Sequence, residues 1–248
     1  MSSSLVEPGV PLAVLCVVMV LLAALVYRVS AIGRVWTVPS AAVRGFLQLA
    51  AISLILAAAL AHLWSSLLVL VVMFAAAAFT SIRRSEAGRS GLWLTVPLAV
   101  GIGVVVPLCL STGVVPAEGI AIVPVGGIIL GGTMTATSLA ARRALDALSE
   151  RHGEVEAALS LGLTERDSRL EVVRPTAGDA LLPGLDQTRT VGLVTLPGAF
   201  VGVLLASGSA IQAGAVQILV LTGLLLAQTL AVVLTVDLVS RGVVHRKS

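Results

Sequence analysis

The side chains that could do chemistry are few, and most lie in one short stretch. Residues 142–190 hold nine of the 13 acidic residues: Asp146, Glu150, Glu154, Glu156, Glu165, Asp167, Glu171, Asp179 and Asp186. Elsewhere Glu118 and Asp237 stand alone at the ends of apolar runs. A tight transition-metal site wants clustered imidazole and carboxylate. The three His and two Cys form no such cluster, so the sequence leaves the metal-contacting residues unknown. Cys16 and Cys109 sit inside apolar runs without ligand spacing and read as small buried hydrophobes. No H-E-x-x-H, G-x-S-x-G or G-x-x-x-x-G-K-[ST] string occurs, so metalloprotease, serine hydrolase and nucleotide-cradling chemistry have no carrier. The chain is expected to be no enzyme and to bind no cofactor of its own.

Those residues hang on elements that are overwhelmingly apolar. The hydrophobic fraction is 57%, the charged fraction 12%, and the mean hydropathy +1.05. A soluble domain carries about a quarter charged residues. A chain this apolar needs lipid as part of its solvent. The expected fold is an all-α polytopic integral membrane protein, a single transmembrane domain over 1–248. Seven runs are long enough to cross about 30 Å of hydrocarbon. They are predicted at 10–27, 45–63, 65–82, 92–110, 120–141, 191–206 and 213–236, with a tight hairpin around His62–Ser66. The first run has no basic flank or cleavage site and reads as a retained span. The sixth is interrupted by Pro197, Gly198 and Gly202.

Orientation follows from the basic residues. With the N-terminus outside, the inner segments are 28–44, 83–91, 142–190 and 237–248, and all 16 Lys and Arg fall there. The predicted location is a cell's inner (plasma) membrane, with a cytoplasmic C-terminus. The net charge of +3 is met by anionic lipid, so nucleic acid is not implied as a partner.

Within 142–190, Ala144, Leu145, Leu148, Val155, Ala158, Leu159 and Leu161 recur at helical spacing. Leu161–Gly162–Leu163 breaks the pattern, and Thr164 with Asp167 can cap a second helix. Pro175 and Pro183 mark further breaks. The result is a short cytoplasmic helix–turn–helix, either a docking surface or a solvated loop. Inside the spans, Gln48, Ser53, His62, Thr133, Thr135, Thr137, Ser138, Gln217 and Gln228 are polar. Such groups either bond between helices or line a path. Gly127 and Gly131, and again Gly198 and Gly202, have the G-x-x-x-G spacing that lets helices approach closely. Pro124 and Pro197 beside them favour helix breaks of the kind transporters place at substrate sites.

The cytoplasmic stretch resembles the EAA loop of ABC-transporter permeases. Glu156, Ala157 and Ala158 are followed by Gly162, and then by Val172 and Pro175, with Val172 in the usual Ile position and Arg174 in place of Leu. The run Pro124–Gly131 followed by Met134–Leu139, the string Ala180–Gly198, and Arg44 with Gln48–Leu49 are similar to the FetB-type iron-export permease family. Gly132 stands where that family usually has Asn, and Arg189 where it usually has Lys. The resemblance implies a permease subunit that forms a homodimer, pairs with a separate ATP-binding subunit that holds the ATP, and exports a metal ion such as iron. Glu156, Ala157, Ala158, Gly162 and Pro175 would then couple to that ATPase. Gln48, Gly127, Gly131, Met134, Thr135, Ser138, Pro197 and Gly198 are the pathway or hinge candidates. Plant relatives associated with aluminium tolerance share the class, so a different small substrate is the alternative, as is a structural membrane protein without transport.

Overall fold

The computed structural model describes residues 9–31, 33–59 and 62–246, and divides into two units, Met1–Ala59 and Leu60–Ser248. Among the described residues all regular structure is helical apart from one isolated bridge, Val191 to Thr195. The first unit is a pair of packed helices, α1 (Val10–Val29) and α2 (Thr37–Ala59). Both are apolar and largely exposed within their unit, as lipid-facing helices must be.

The second unit holds α3 (Leu63–Ser85), α4 (Thr95–Ser111), α5 (Gly119–Glu150), α6 (His152–Ser160), α7 (Glu165–Ala177), α8 (Leu182–Thr190), α9 (Gly198–Ser207) and α10 (Ala210–Ser240). A 3-10 turn over Gly88–Leu94 leads into α4, and another over Gly178–Ala180 leads into α8. The turn predicted around His62–Ser66 lies earlier in the chain: Leu63–Ser66 are the first turn of α3, with His62 as its N-cap. Residues 60–61 lie outside the described residues.

α5 and α10 are the axis of this unit. They pack on each other, and α3, α4 and α7 pack against one or both. Small residues allow the approach. Gly126 faces Leu70, Gly127 faces Met73, and Gly101 sits against Thr133 and the carbonyl of Ala227. At 1.5 Å per residue α5 is about 48 Å long and α10 about 46 Å, more than hydrocarbon alone requires. The excess of α5 carries Arg142, Arg143, Asp146 and Glu150, so the span predicted to end at 141 continues as helix for nine more residues. At that end Arg142 pairs with Glu86, Arg246 with Glu86 and Asp146, and Ser90 with the backbone of His245. One end of the unit is thus basic and ion-paired, and no such pair lies at the other end among the described residues.

Among the described residues, six helices are long and apolar enough to cross a membrane. The predicted sixth span, 191–206, is different. It is helical only over Gly198–Ser207, ten residues, or about 15 Å. Pro197 is the N-cap, and the loop before it turns at Gly192, whose φ of +81° suits glycine. A further helix, α8, precedes that loop and packs on α10 as α9 does.

Candidate functional site

Two places concentrate the groups expected to act: the elbow α6–α7, and the broken segment α8–loop–α9 beside α10.

The elbow is built by its capping chemistry. After α6 the N–H of Gly162 donates to the carbonyl of Leu159 (2.9 Å) and that of Leu163 to Ala158 (3.2 Å). This is a Schellman closure, and it needs Gly162 at φ +89°. Two residues later Thr164 caps α7, its Oγ1 accepting from the N–H of Asp167 at 3.2 Å. The turn is therefore rigid. Pro175 does not break α7, which continues to Ala177. It lies in the last turn of α7 and is solvent-exposed. The N–H it lacks would have gone to the carbonyl of Glu171, a solvent-exposed residue whose carbonyl water can serve.

The elbow is tied to the axis by charge. Arg166 donates to Asp237 of α10 at 2.7 Å, Arg143 of α5 pairs with Asp179 at 2.9 Å, and Arg151 donates to the carbonyl of Val172 and pairs with Glu154. The hydrogen bond to Asp237 raises the Arg166 pKa, and the hydrogen bond from Arg151 holds Glu154 below the usual carboxylate range. Val172 and Val173 are buried beneath α7. Glu156 and Ala157 face solvent, and Ala158 is half-buried. The apolar tip Leu159, Leu161 and Leu163 is exposed, Leu161 to 82%. A cleft of about 250 Å³ between Leu148, Val155, Leu159 and Arg169 adjoins Glu156. A rigid, ion-paired elbow with an apolar tip can transmit a push from a docked protein to α5 and α10.

The second place lies deeper. On α8, Gly184 is buried against Gln228 of α10, and on the other side Gln228 reaches Gly132 of α5. The side chain occupies a slot made by two glycines. Gln228 is 6% exposed, and its Oε1 has no hydrogen-bond partner among the described residues. On α9, Gly202 and Val203 line a cavity of about 610 Å³ with Val216, Leu219 and Val220 of α10 and Pro124 of α5. Since Gly184 is level with Gln228 and Gly202 with Leu219, the loop 190–197 is level with the middle of α10. The predicted sixth span is thus replaced by a short helix, α9, preceded by a loop and by α8, the polar stretch read from sequence as cytosolic, and both helices pack on α10.

The loop is held by two carbonyls, those of Thr190 and Thr195. Thr190 accepts from the N–H groups of Leu193, Val194 and Thr195, and the N–H of Gly192 donates to Thr195. Unpaired backbone at this depth is tolerated only where protein or a water-filled space covers it. Hydropathy does not reveal α8, but the pairing of Pro183 at a helix start with Thr188 and Thr190, whose hydroxyls donate to the carbonyls of Gly184 and Asp186, is a signal it leaves.

The other candidates are dispersed. Gly131 and Thr135 lie on the exposed stripe of α5, with Thr135 Oγ1 donating to Gly131. Both are within one turn of Gly132. Met134 packs toward Leu98 and Ala77, and Ser138 is buried, 3.2 Å from Ser81 Oγ and 2.7 Å from the carbonyl of Met134. Gly127 is a packing contact with Met73. Gln48 belongs to the first unit and is exposed there. Pro197 and Gly198 open α9. No group of three or more His, Cys, Asp or Glu is close enough to hold a metal among the described residues, and Cys16 and Cys109 are free. Cys16 is exposed within its unit, not buried as its sequence context implied.

Comparison with known proteins adds three relatives. A family model described as UPF0014, an uncharacterised protein family, matches residues 11–244. The chain is 31% identical over 195 residues to the UPF0014 membrane protein STAR2 of Oryza sativa subsp. japonica, covering 77% of this chain and 68% of that one. It is 32% identical over 197 residues to the UPF0014 membrane protein slr1647 of Synechocystis, covering 77% and 76%. To the probable iron export permease protein FetB of Escherichia coli it is 27% identical over 175 residues, covering 71% and 68%. No solved structure matches the chain.

Proposed function

This chain belongs to the UPF0014 family of membrane proteins, and from that premise we propose that it is the membrane-spanning permease subunit of an ABC transporter. In this reading it forms a homodimer in the plasma membrane, N-terminus outside and C-terminus cytoplasmic. A separate ATP-binding subunit docks on the α6–α7 elbow, holds the ATP and drives export of a metal ion such as iron. The observation that carries the reading is the elbow itself. It is a turn closed by Gly162 and Thr164, exposed at Glu156, Ala157 and Leu161, and anchored through Arg166 to Asp237. A loop that received no partner would have little use for caps at both sides of its turn or for ion pairs to the two longest helices.

Such a rigid element can pass a domain rotation to the helices it joins, where a flexible loop would absorb it. The metal substrate rests on the likeness to FetB. A transport path needs only weak, transient ligands such as carbonyls and hydroxyls, so it does not call for a cluster of His and carboxylates. Tagged chain purified from its native membrane is expected to bring down an ATP-binding subunit, and Glu156→Lys is expected to lose it while the chain still inserts. A chain that purifies without any nucleotide-binding protein, at wild-type abundance, removes the coupling role. Cellular iron content under graded iron load, with and without the chain, tests the substrate.

A further inference from the structure

The loop between α8 and α9 poses a solvation problem that one copy of the second unit leaves open. The carbonyls of Val191, Gly192, Leu193, Val194 and Leu196 accept no hydrogen bond from the described residues. Leu193 is 90% exposed and Val194 78%. One turn before them, Asp186 and Arg189 pair at 3.4 Å with side chains 64% and 67% exposed. All of this lies beside the middle of α10, where Gln228 meets Gly184. Hydrocarbon solvates neither free carbonyls nor a charged pair. Something must cover this face.

We propose that the α8–loop–α9 face is where two copies of this chain meet, across a two-fold axis, with the free carbonyls of both loops turned toward a passage between them. The charges argue for a second copy over any other occupant. In an isologous contact residue i of one copy meets j of the other and j meets i. A segment bearing one acid and one base three residues apart suits such a contact, because each Asp186 can face the partner's Arg189. The helices of the first unit suit it less: residues 9–59 contain arginines but no Asp or Glu, so they offer nothing to Arg189. Leu193 and Leu196 supply the apolar contact, and carbonyls from two copies can replace the water around a small cation as it passes. The proposal rests on the reading of the chain as a homodimeric permease and adds the surface through which it dimerises.

The test uses the full chain in native membrane vesicles, with Cys16 and Cys109 replaced by Ser and Ala. Cysteine is then placed singly at Leu193, at Val194, or at Val71, an exposed residue of α3 that lies off the proposed face. A flexible bis-maleimide is expected to give covalent dimers at both loop positions at least tenfold more than at Val71. All three sites are exposed, so folding is little disturbed, and immunoblotting of the membrane fraction normalises the yield. Dimer yields at Leu193 and Val194 no higher than at Val71 overturn the proposal. Co-purification of an ATP-binding subunit is scored on the same cysteine-free chain. Its loss with crosslinks intact removes the transporter reading and leaves the interface standing. Retained co-purification without loop crosslinks removes the interface alone.

Discussion

The side chain of Gln228 on α10 fills the space that any side chain at Gly184 on α8 would need, so a methyl group there would run into its Oε1. α8 therefore stays against α10 because residue 184 is glycine. Replacing Gly184 with Ala overpacks the contact, which typically costs about 1–3 kcal/mol. Thermal unfolding in detergent is expected several degrees lower for Gly184→Ala, and Gln228→Ala in the same chain is expected to recover most of the loss. Unfolding curves that coincide for wild type and Gly184→Ala would show that the two helices are not held in this slot.

Gly162 sits at φ +89° between α6 and α7, a conformation that costs an L-residue about 1–2 kcal/mol. Nothing lies within 4 Å of where its Cβ would be, so the effect of substitution is on the backbone and not on packing. Gly162→Val is expected to leave the amount of chain in the membrane unchanged while abolishing stimulation of the partner's ATPase. Gly162→Asn, which tolerates the left-handed region, is expected to keep most of it. Equal coupling in wild type and Gly162→Val would remove the elbow from the mechanism.

The elbow and the long spans were legible in the sequence for a shared reason: their signals are local. Thr164 with Asp167, and glycine at 162, are capping chemistry that acts within four residues. Val10–Val29 and Ala210–Ser240 are long enough for hydropathy alone to find them. The packing of α8 and α9 side by side on α10 was not legible. α8 contains Asp186, Gln187, Thr188, Arg189 and Thr190, which any hydropathy scale places in water. What keeps α8 at depth is its contact with Gln228, more than forty residues away, together with whatever covers its outer face. Pro175 misled in the opposite direction. It was read as a break, yet α7 runs through it to Ala177, because the carbonyl it leaves without a donor belongs to exposed Glu171.

Arg166 and Asp237 join the start of α7 to the end of α10, and Asp237 also receives Arg241. The groups are partly exposed and screened by solvent, so the pair adds little to stability. It fixes the elbow to the helix against which α8 and α9 also pack, so in the proposed transporter its role would be mechanical. Asp237→Asn is expected to leave global unfolding nearly unchanged while raising amide exchange in α7 several-fold and weakening ATPase coupling. Unaltered exchange over 165–177 would mean that the buried Val172 and Val173 hold α7 by themselves.

Arg151 and Glu154 close the junction of α5 and α6, and the Arg151 guanidinium also donates to the Val172 carbonyl of α7. Its hydrogen bond to Glu154, aided by charge attraction, holds that carboxyl below its ordinary value of 4.5. A carboxyl whose folded-state value is depressed binds its proton more readily in the unfolded chain. The contact therefore contributes fully above the ordinary value and is lost as pH falls through the depressed one. A spin label on Ser160→Cys, an exposed site at the end of α6, reads the junction directly. Its mobility is expected to stay flat from pH 7 down to the ordinary carboxyl value and to rise only below it. In Arg151→Ala the label should already be mobile at pH 7, with the low-pH rise diminished. Matching mobility profiles for the two chains across this range would show that the junction is held by something other than this pair.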